Sequence, residues 1–138
     1  MLRLTSSAYV RMIGHAYDGL PEEACGLLGG SMQRGTVDRF APCTNADAST
    51  KTYAIGSDDW FRAEREFDEA GLEVVGVMHS HTHTDAYPSP TDIAKADNPL
   101  LLGWHYIIVS LRDDAPMLRS WLIDGGNIEE EPVVLLDR

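Results

Sequence analysis

At 138 residues, with 43% hydrophobic and 24% charged residues, the chain has the composition of one globular domain long enough for a sizeable core. It carries 11 Lys+Arg against 22 Asp+Glu, a formal charge of -11, which argues against phosphate contacts and so against nucleic acid as a partner. No run approaches the ~18 apolar residues of a membrane helix. Residues 1–19 also lack the apolar block of a signal peptide, so the expectation is a cytoplasmic protein with no membrane partner.

In chain order, residues 6–19 read as an amphipathic helix, with Tyr9, Met12, Ile13, Ala16 and Leu20 at helical spacing, Thr5 or Ser6 as cap, and Gly19 and Pro21 as stop signals. Glu23–Gly30 is a short apolar run read as a strand, followed by the turn SMQRG and a second strand near Thr36–Ala41. Cys25 and Cys43 are expected as reduced thiols, as suits a cytosolic chain. After a polar loop over 42–51, Thr52–Ile55 reads as a third short strand. Ser57 caps a helix whose first turn carries Asp58 and Asp59, where the dipole favours negative charge. Trp60, Ala63, Phe67 and Ala70 form its apolar face, and Gly71 ends it.

Glu73–His81 is a strand with the near-continuous apolar character of one covered on both faces. Ser89-Pro90-Thr91-Asp92 opens a third helix that runs to about Asp97. Three further strands, His105–Leu111, Met117–Asp124 and Ile128–Leu136, are separated by the turn sequences RDDAP and DGGN. No repeat or linker divides the chain, so residues 1–138 are expected to form a single α/β (α+β) domain built on one mixed sheet.

The chemistry lies in residues 74–92, VVGVMHSHTHTDAYPSPTD. His79 and His81 are two apart at a strand end, so both imidazoles point to one side, as two ligands of a zinc ion must. Ser89 and Asp92 have a structural reading as cap and third helical residue. The same placement sets a hydroxyl and a carboxylate beside the strand end. His79, His81 and Asp92 would be two neutral ligands and one anionic one, leaving a fourth tetrahedral position for water, as in a catalytic zinc site. Hydrolysis also needs a carboxylate to move the water's proton. Glu23 is the best candidate for that; Glu22, beside Pro21 and outside the strand, is the competitor read as solvated, and spacing does not rank Glu23 above Asp85, Glu73 or Asp97.

Glu23, His79-Ser80-His81, seven residues, Ser89, two residues and Asp92 together resemble the signature of the JAMM (MPN+) zinc metallopeptidases. The string Glu23-Ala24-Cys25-Gly26-Leu27-Leu28 is similar to the family's glutamate-bearing strand. The resemblance implies zinc on His79, His81 and Asp92, Glu23 as general acid/base, and Ser89 as donor to the tetrahedral oxyanion. The fold it implies is a curved mixed β-sheet flanked by helices, similar to cytidine deaminases. Thr82 departs from the pattern, since the commonest members have Pro there. His83 is an extra, expected in the loop beside the substrate groove.

Members cut bonds after the C-terminal Gly-Gly of ubiquitin-like proteins. The strings ACGLL, HSHT and AYPSPTD are most similar to the small bacterial CysO-cysteine peptidase subgroup, which acts on ubiquitin-like sulfur-carrier proteins in cysteine biosynthesis. The implied function is therefore release of cysteine from such a carrier. The alternatives are trimming of a C-terminal extension from a carrier, or a non-catalytic binding module of the same fold. Cys25 is read as inert core rather than nucleophile, His15 and His105 as ordinary structural or surface groups, and Asn45 as a turn residue.

Overall fold

The computed structural model describes residues 1–138. Helix α1 (Ser6–Asp18) buries Ala8, Met12 and Ala16, one residue per turn along one stripe, and Thr5 caps it by accepting from the Ala8 N–H. Helix α2 (Ser57–Glu69) buries Ala63 and Phe67 in the same way. Its N-cap is Gly56 rather than Ser57 and makes no side-chain cap bond, and Trp60 and Ala70 are only half-buried. Gly71 turns the chain out of α2 with a φ of +73°, a conformation that favours glycine. Helix α3 (Pro90–Ala96) is short and firmly started: Ser89 and Asp92 form a reciprocal capping box, with Pro90 in the first turn.

The strands are β1 (Leu2–Thr5), β2 (Cys25–Ser31), β3 (Thr36–Cys43), β4 (Glu73–His81), β5 (His105–Ser110), β6 (Met117–Asp124), β7 (Asn127–Glu131) and β8 (Val133–Leu136). They form one sheet in the order β7-β6-β5-β4-β2-β3-β1-β8, in which β4/β5, β1/β3 and β1/β8 pair in parallel and the other neighbours antiparallel. One face of the sheet packs on α1 through Leu28, Val37, Val75, Met78, Ile107 and Val109. The other packs on α2 and α3 through Leu27, Ala41, Val77, Tyr106 and Ile108. No helix is long and apolar enough to cross a membrane.

Leu2–Thr5, which the sequence reading leaves unassigned, is a strand held between β3 and β8. Three sequence expectations about strands need correction. Glu23 lies two residues before β2, because its N–H bonds Ser49 O instead of a sheet neighbour. Thr52–Ile55 is not a strand. It makes one bridge, Asn45 with Ile55, because the Asn45 side chain takes up the Thr52 carbonyl and the Ala54 N–H. The expected strand Ile128–Leu136 breaks at Pro132, which has no N–H to donate. Its two halves lie at opposite edges of the sheet with only Pro132 between them, so the sheet curls until its edges nearly meet.

Two details of β4 position the site. Between Leu28 and Gly29 of β2 the register slips by one, leaving Val75 of β4 as an extra, bulged residue. Val75 therefore faces α1, while Val77 faces α2 and α3, and His79 and His81 follow Val77 by steps of two. Gly76 allows the close approach of β5, since a Cβ there would stand 2.1 Å from the His105 carbonyl oxygen.

Candidate active site

His79 and His81 end β4, the central strand, on the face covered by α2 and α3. Asp92 reaches them from the first turn of α3. The three donor atoms form a nearly equilateral triangle: His79 Nε2 to His81 Nε2 is 3.1 Å, His79 Nε2 to Asp92 Oδ2 is 3.0 Å and His81 Nε2 to Asp92 Oδ2 is 3.1 Å. Two ligand atoms of a tetrahedral zinc, each at ~2.0–2.1 Å, stand ~3.3 Å apart, so the triangle has the size such an ion needs. Its chemistry agrees. His81 Nδ1 donates to the Asp85 carbonyl at 2.6 Å, so a neutral His81 presents a lone pair at Nε2. Lone pairs converging at these distances repel one another unless a proton or a metal cation stands between them. His79, His81 and Asp92 are thus a set able to hold a metal ion.

The surroundings keep both imidazoles oriented. His79 is 2% exposed and stacks on Tyr53 with ring centroids 4.4 Å apart. Lys95 of α3 lies over the other part of this stack, with Nζ 4.5 Å from the Tyr53 ring centroid, and donates to the Tyr53 carbonyl. Burial pushes the His79 pKa down and keeps the ring neutral, the state in which imidazole binds metal. For His81, burial is outweighed by its bonds to Asp92 and the Asp85 carbonyl, and the pKa is raised. For Asp92, burial is likewise outweighed by the two imidazoles, which hold its carboxyl well below the usual range.

Glu23 approaches from the segment before β2. Cys25 of β2 pairs with His79 of β4, so the two residues preceding β2 run alongside the strand end that carries the imidazoles. That approach is pinned on both sides. Ser80, between the two histidines and pointing the opposite way, accepts from the Ala24 N–H at 2.8 Å, and the Ser80 N–H donates to the Ala24 carbonyl at 2.9 Å. Asn45 donates to the Glu23 carbonyl at 2.9 Å, while the Glu23 N–H donates to the Ser49 carbonyl at 2.9 Å. Glu23 as a whole is 5% exposed, and its carboxylate Oε1 is buried with no hydrogen-bond partner. Burial pushes its pKa up to about 7, with the Asp92 charge adding to the rise and His81 opposing it. A group that exchanges protons near neutrality suits general acid/base work.

Ser89 Oγ accepts from the Asp92 N–H at 3.1 Å and keeps its own hydrogen free to donate. Glu23, His81 and Ser89 line one cleft of about 280 Å³ together with Thr50, Lys51, Thr82, His83 and Thr84. The five expected site residues are therefore gathered at one place. His83 lies in the loop after β4, exposed and on the cleft wall. Of the competing acids, Glu73 stands exposed at the far end of β4, Asp97 is exposed after α3, and Asp85 is exposed but offers its carbonyl to His81.

Sequence reasoning missed the supports. Asn45, read as a turn residue, is buried, and every polar atom of its side chain bonds backbone, so it holds Glu23 in place. Ser80 could have been found from strand parity, as the polar residue forced to the face opposite its two neighbours. Tyr53 carried no signal in the sequence. His105, read as ordinary, is buried against Glu131 far from this cleft.

The model of prokaryotic homologs of the JAB domain matches residues 5–124. The chain is 38% identical over 128 residues to the CysO-cysteine peptidase of Mycobacterium tuberculosis, covering 92% of this chain and 86% of that protein. It is 32% identical over 114 residues to the desampylase of Haloferax volcanii, covering 79% of this chain and 80% of the relative. Among solved structures, a protein from Desulfitobacterium hafniense superposes with a TM-score of 0.89 at 33% identity, covering 100% of this chain and 94% of that one. A JAB1/MPN domain protein from Archaeoglobus fulgidus shares the fold, with a TM-score of 0.64 at 19% identity over 99% of this chain and 98% of that one. The chain belongs to the prokaryotic JAB family, of JAMM/MPN fold, and is a hydrolase of the JAMM type.

Proposed function

We propose that residues 1–138 form a zinc-dependent peptidase domain that hydrolyses the bond after the C-terminal Gly-Gly of a ubiquitin-like sulfur-carrier protein and releases cysteine. The observation that carries this reading is the triangle of donor atoms on His79, His81 and Asp92 beside a buried Glu23 oxygen that has no partner. The peptidase named for the M. tuberculosis relative points to the substrate class. His79, His81 and Asp92 would hold a zinc ion, which would supply Lewis acidity toward a water and a carbonyl.

The protein's own groups do the rest. Glu23, with its pKa near 7, takes a proton from the attacking water and hands it to the leaving nitrogen. The hydroxyl joins the glycine carbonyl carbon, the C–N bond breaks, and the products are a carrier ending in a carboxylate and a free amine. The Ser89 hydroxyl donates to the oxygen on which negative charge gathers during attack. Glycines before the scissile bond suit this centre, because a tail without side chains can lie extended against the sheet.

Incubation of candidate carriers with the enzyme, read by mass spectrometry with and without a chelator, tests the proposal. The expected result is loss of one cysteine from the carrier, dependent on about one zinc per chain. Cleavage that persists after full metal removal would sink it. A second reading, removal of a larger group joined through an isopeptide bond, is favoured by the similarity to a desampylase, and the same spectra separate the two.

A further inference from the structure

Two cavities lie near the site, one reaching Tyr53, which stacks on His79, and one reaching His81, and they differ in chemistry. One, of about 260 Å³, is lined almost wholly by apolar side chains, among them Tyr53, Trp60, Trp104 and Tyr106. The other is the cleft of about 280 Å³ into which Glu23 and Ser89 face, and no apolar residue lines it. The acid/base residue must reach the nitrogen of the departing amine to protonate it. Only the polar cleft holds Glu23, so the leaving group departs through it. At about 280 Å³ the cleft lies just below the ~300–1,000 Å³ of drug-sized sites, a size that suits a single amino acid.

The cleft holds one lysine, Lys51, as well as the Glu23 carboxyl, in a chain whose net charge is -11. Lys51 lines it, is exposed, and forms no ion pair within the chain. Its backbone is fixed with respect to Glu23. The Lys51 N–H donates to Ser49 Oγ at 3.1 Å, and the Ser49 carbonyl accepts from the Glu23 N–H at 2.9 Å. Asn45 closes the same loop through Glu23 and Thr52. A cation held on the loop that positions the proton carrier is placed to meet a charge on the leaving group itself.

The geometry points to Lys51 as the residue that selects a leaving group bearing a free α-carboxylate, that is, a single amino acid rather than a lysine side chain in an isopeptide bond. The inference rests on the peptidase reading above and deepens it. An amino acid attached through its α-nitrogen carries its carboxylate one carbon from the scissile bond. A lysine joined through its ε-nitrogen has its own carboxyl group several carbons away and tied into a peptide. Thr50, Thr82 and Thr84 offer hydroxyls around the same space.

The test uses the full chain loaded with zinc and two probes: CysO carrying a C-terminal cysteine with a free carboxylate, and the same adduct as its cysteine amide. The wild type is expected to cleave the acid about tenfold or more faster in kcat/KM, the scale of one charge-assisted contact. Lys51→Met is expected to bring the acid down to the rate of the amide, and Lys51→Arg to keep the preference. Binding of both adducts to the inactive Glu23→Gln variant, read by calorimetry, is expected to show the same preference and to lose it in the Glu23→Gln/Lys51→Met double variant. Equal rates for acid and amide in the wild type, or a preference that survives Lys51→Met, overturn the inference while leaving the peptidase reading intact. Absence of cleavage of either adduct overturns both.

Discussion

Glu23 and Glu131 are both 5% exposed, yet they have opposite chemistry. Glu131 Oε1 accepts from Ser120 Oγ at 2.7 Å and lies 2.5 Å from His105 Nδ1, and these bonds hold its pKa below the usual carboxylate value although burial would raise it. Glu23 has a carboxylate oxygen with no partner at all, and burial lifts its pKa to about 7. Burial alone therefore decides nothing. A buried carboxylate held by a hydroxyl and an imidazole on one oxygen, with the terminal ammonium 3.9 Å from the other, is architecture: Glu131 ties β5, β6 and β7 together where the sheet curls shut. A buried carboxylate left short of a partner, beside a cleft, is held ready for a proton.

The widest gap between the two should appear in activity. Glu23→Gln keeps the shape and is expected to lower the rate of carrier hydrolysis by about 10²–10⁴-fold, with metal content by elemental analysis unchanged and melting temperature not lowered. A variant that hydrolyses at the wild-type rate would remove Glu23 from the chemistry. Glu131→Leu should do the reverse. It leaves His105 Nδ1 and Ser120 Oγ unpaired in the interior and is expected to cost about 3–5 kcal/mol in urea unfolding, with kcat/KM within twofold of wild type.

The smallest effect is in pH. In metal-free protein Glu23 keeps its proton to about 7, against 4.5 for a free carboxyl. The folded state binds the extra proton between those values. The contribution of this carboxyl to stability is thus full below 4.5 and is lost as pH rises through 7, by about 3 kcal/mol at most. Chelated wild type and Glu23→Gln should unfold alike near pH 5, with the variant the more stable near pH 8. A difference that stays flat over this interval would show that burial does not set the proton affinity of Glu23. Glu131, with its lowered pKa, contributes stability above 4.5 and loses it on acidification.

Local pattern made much of this legible. Strand β4 has the bounds its apolar run indicates, Glu73–His81, and α3 starts where Ser89 and Pro90 say it should. His-x-His on one strand places two imidazoles on one side by parity alone. What stayed hidden depends on pairing between distant segments. Choosing Glu23 over Asp85, Glu73 and Asp97 needs the register of Cys25 against His79, which no spacing encodes, and only the family resemblance supplied the choice. Thr52–Ile55 has strand composition, but the amide of Asn45, seven residues away, takes the Thr52 carbonyl. Pro132 signals a break, yet not that the next residues cross to the opposite edge, where they pair with β1.

The bulge at Val75 has a consequence for how such a chain can change over time. The surplus residue lets Val74 and Val77 share the side of α2 and α3 although an odd number of positions separates them. Deleting Val75 would restore plain alternation and leave both imidazoles turned toward Asp92. Inserting one residue between Val77 and His79, with no bulge to absorb it, would rotate both imidazoles to the α1 side with every functional residue still present. Descent with modification can thus vary length at the bulge but not between it and the strand end, and the working site is stored as much in a number of residues as in their identities.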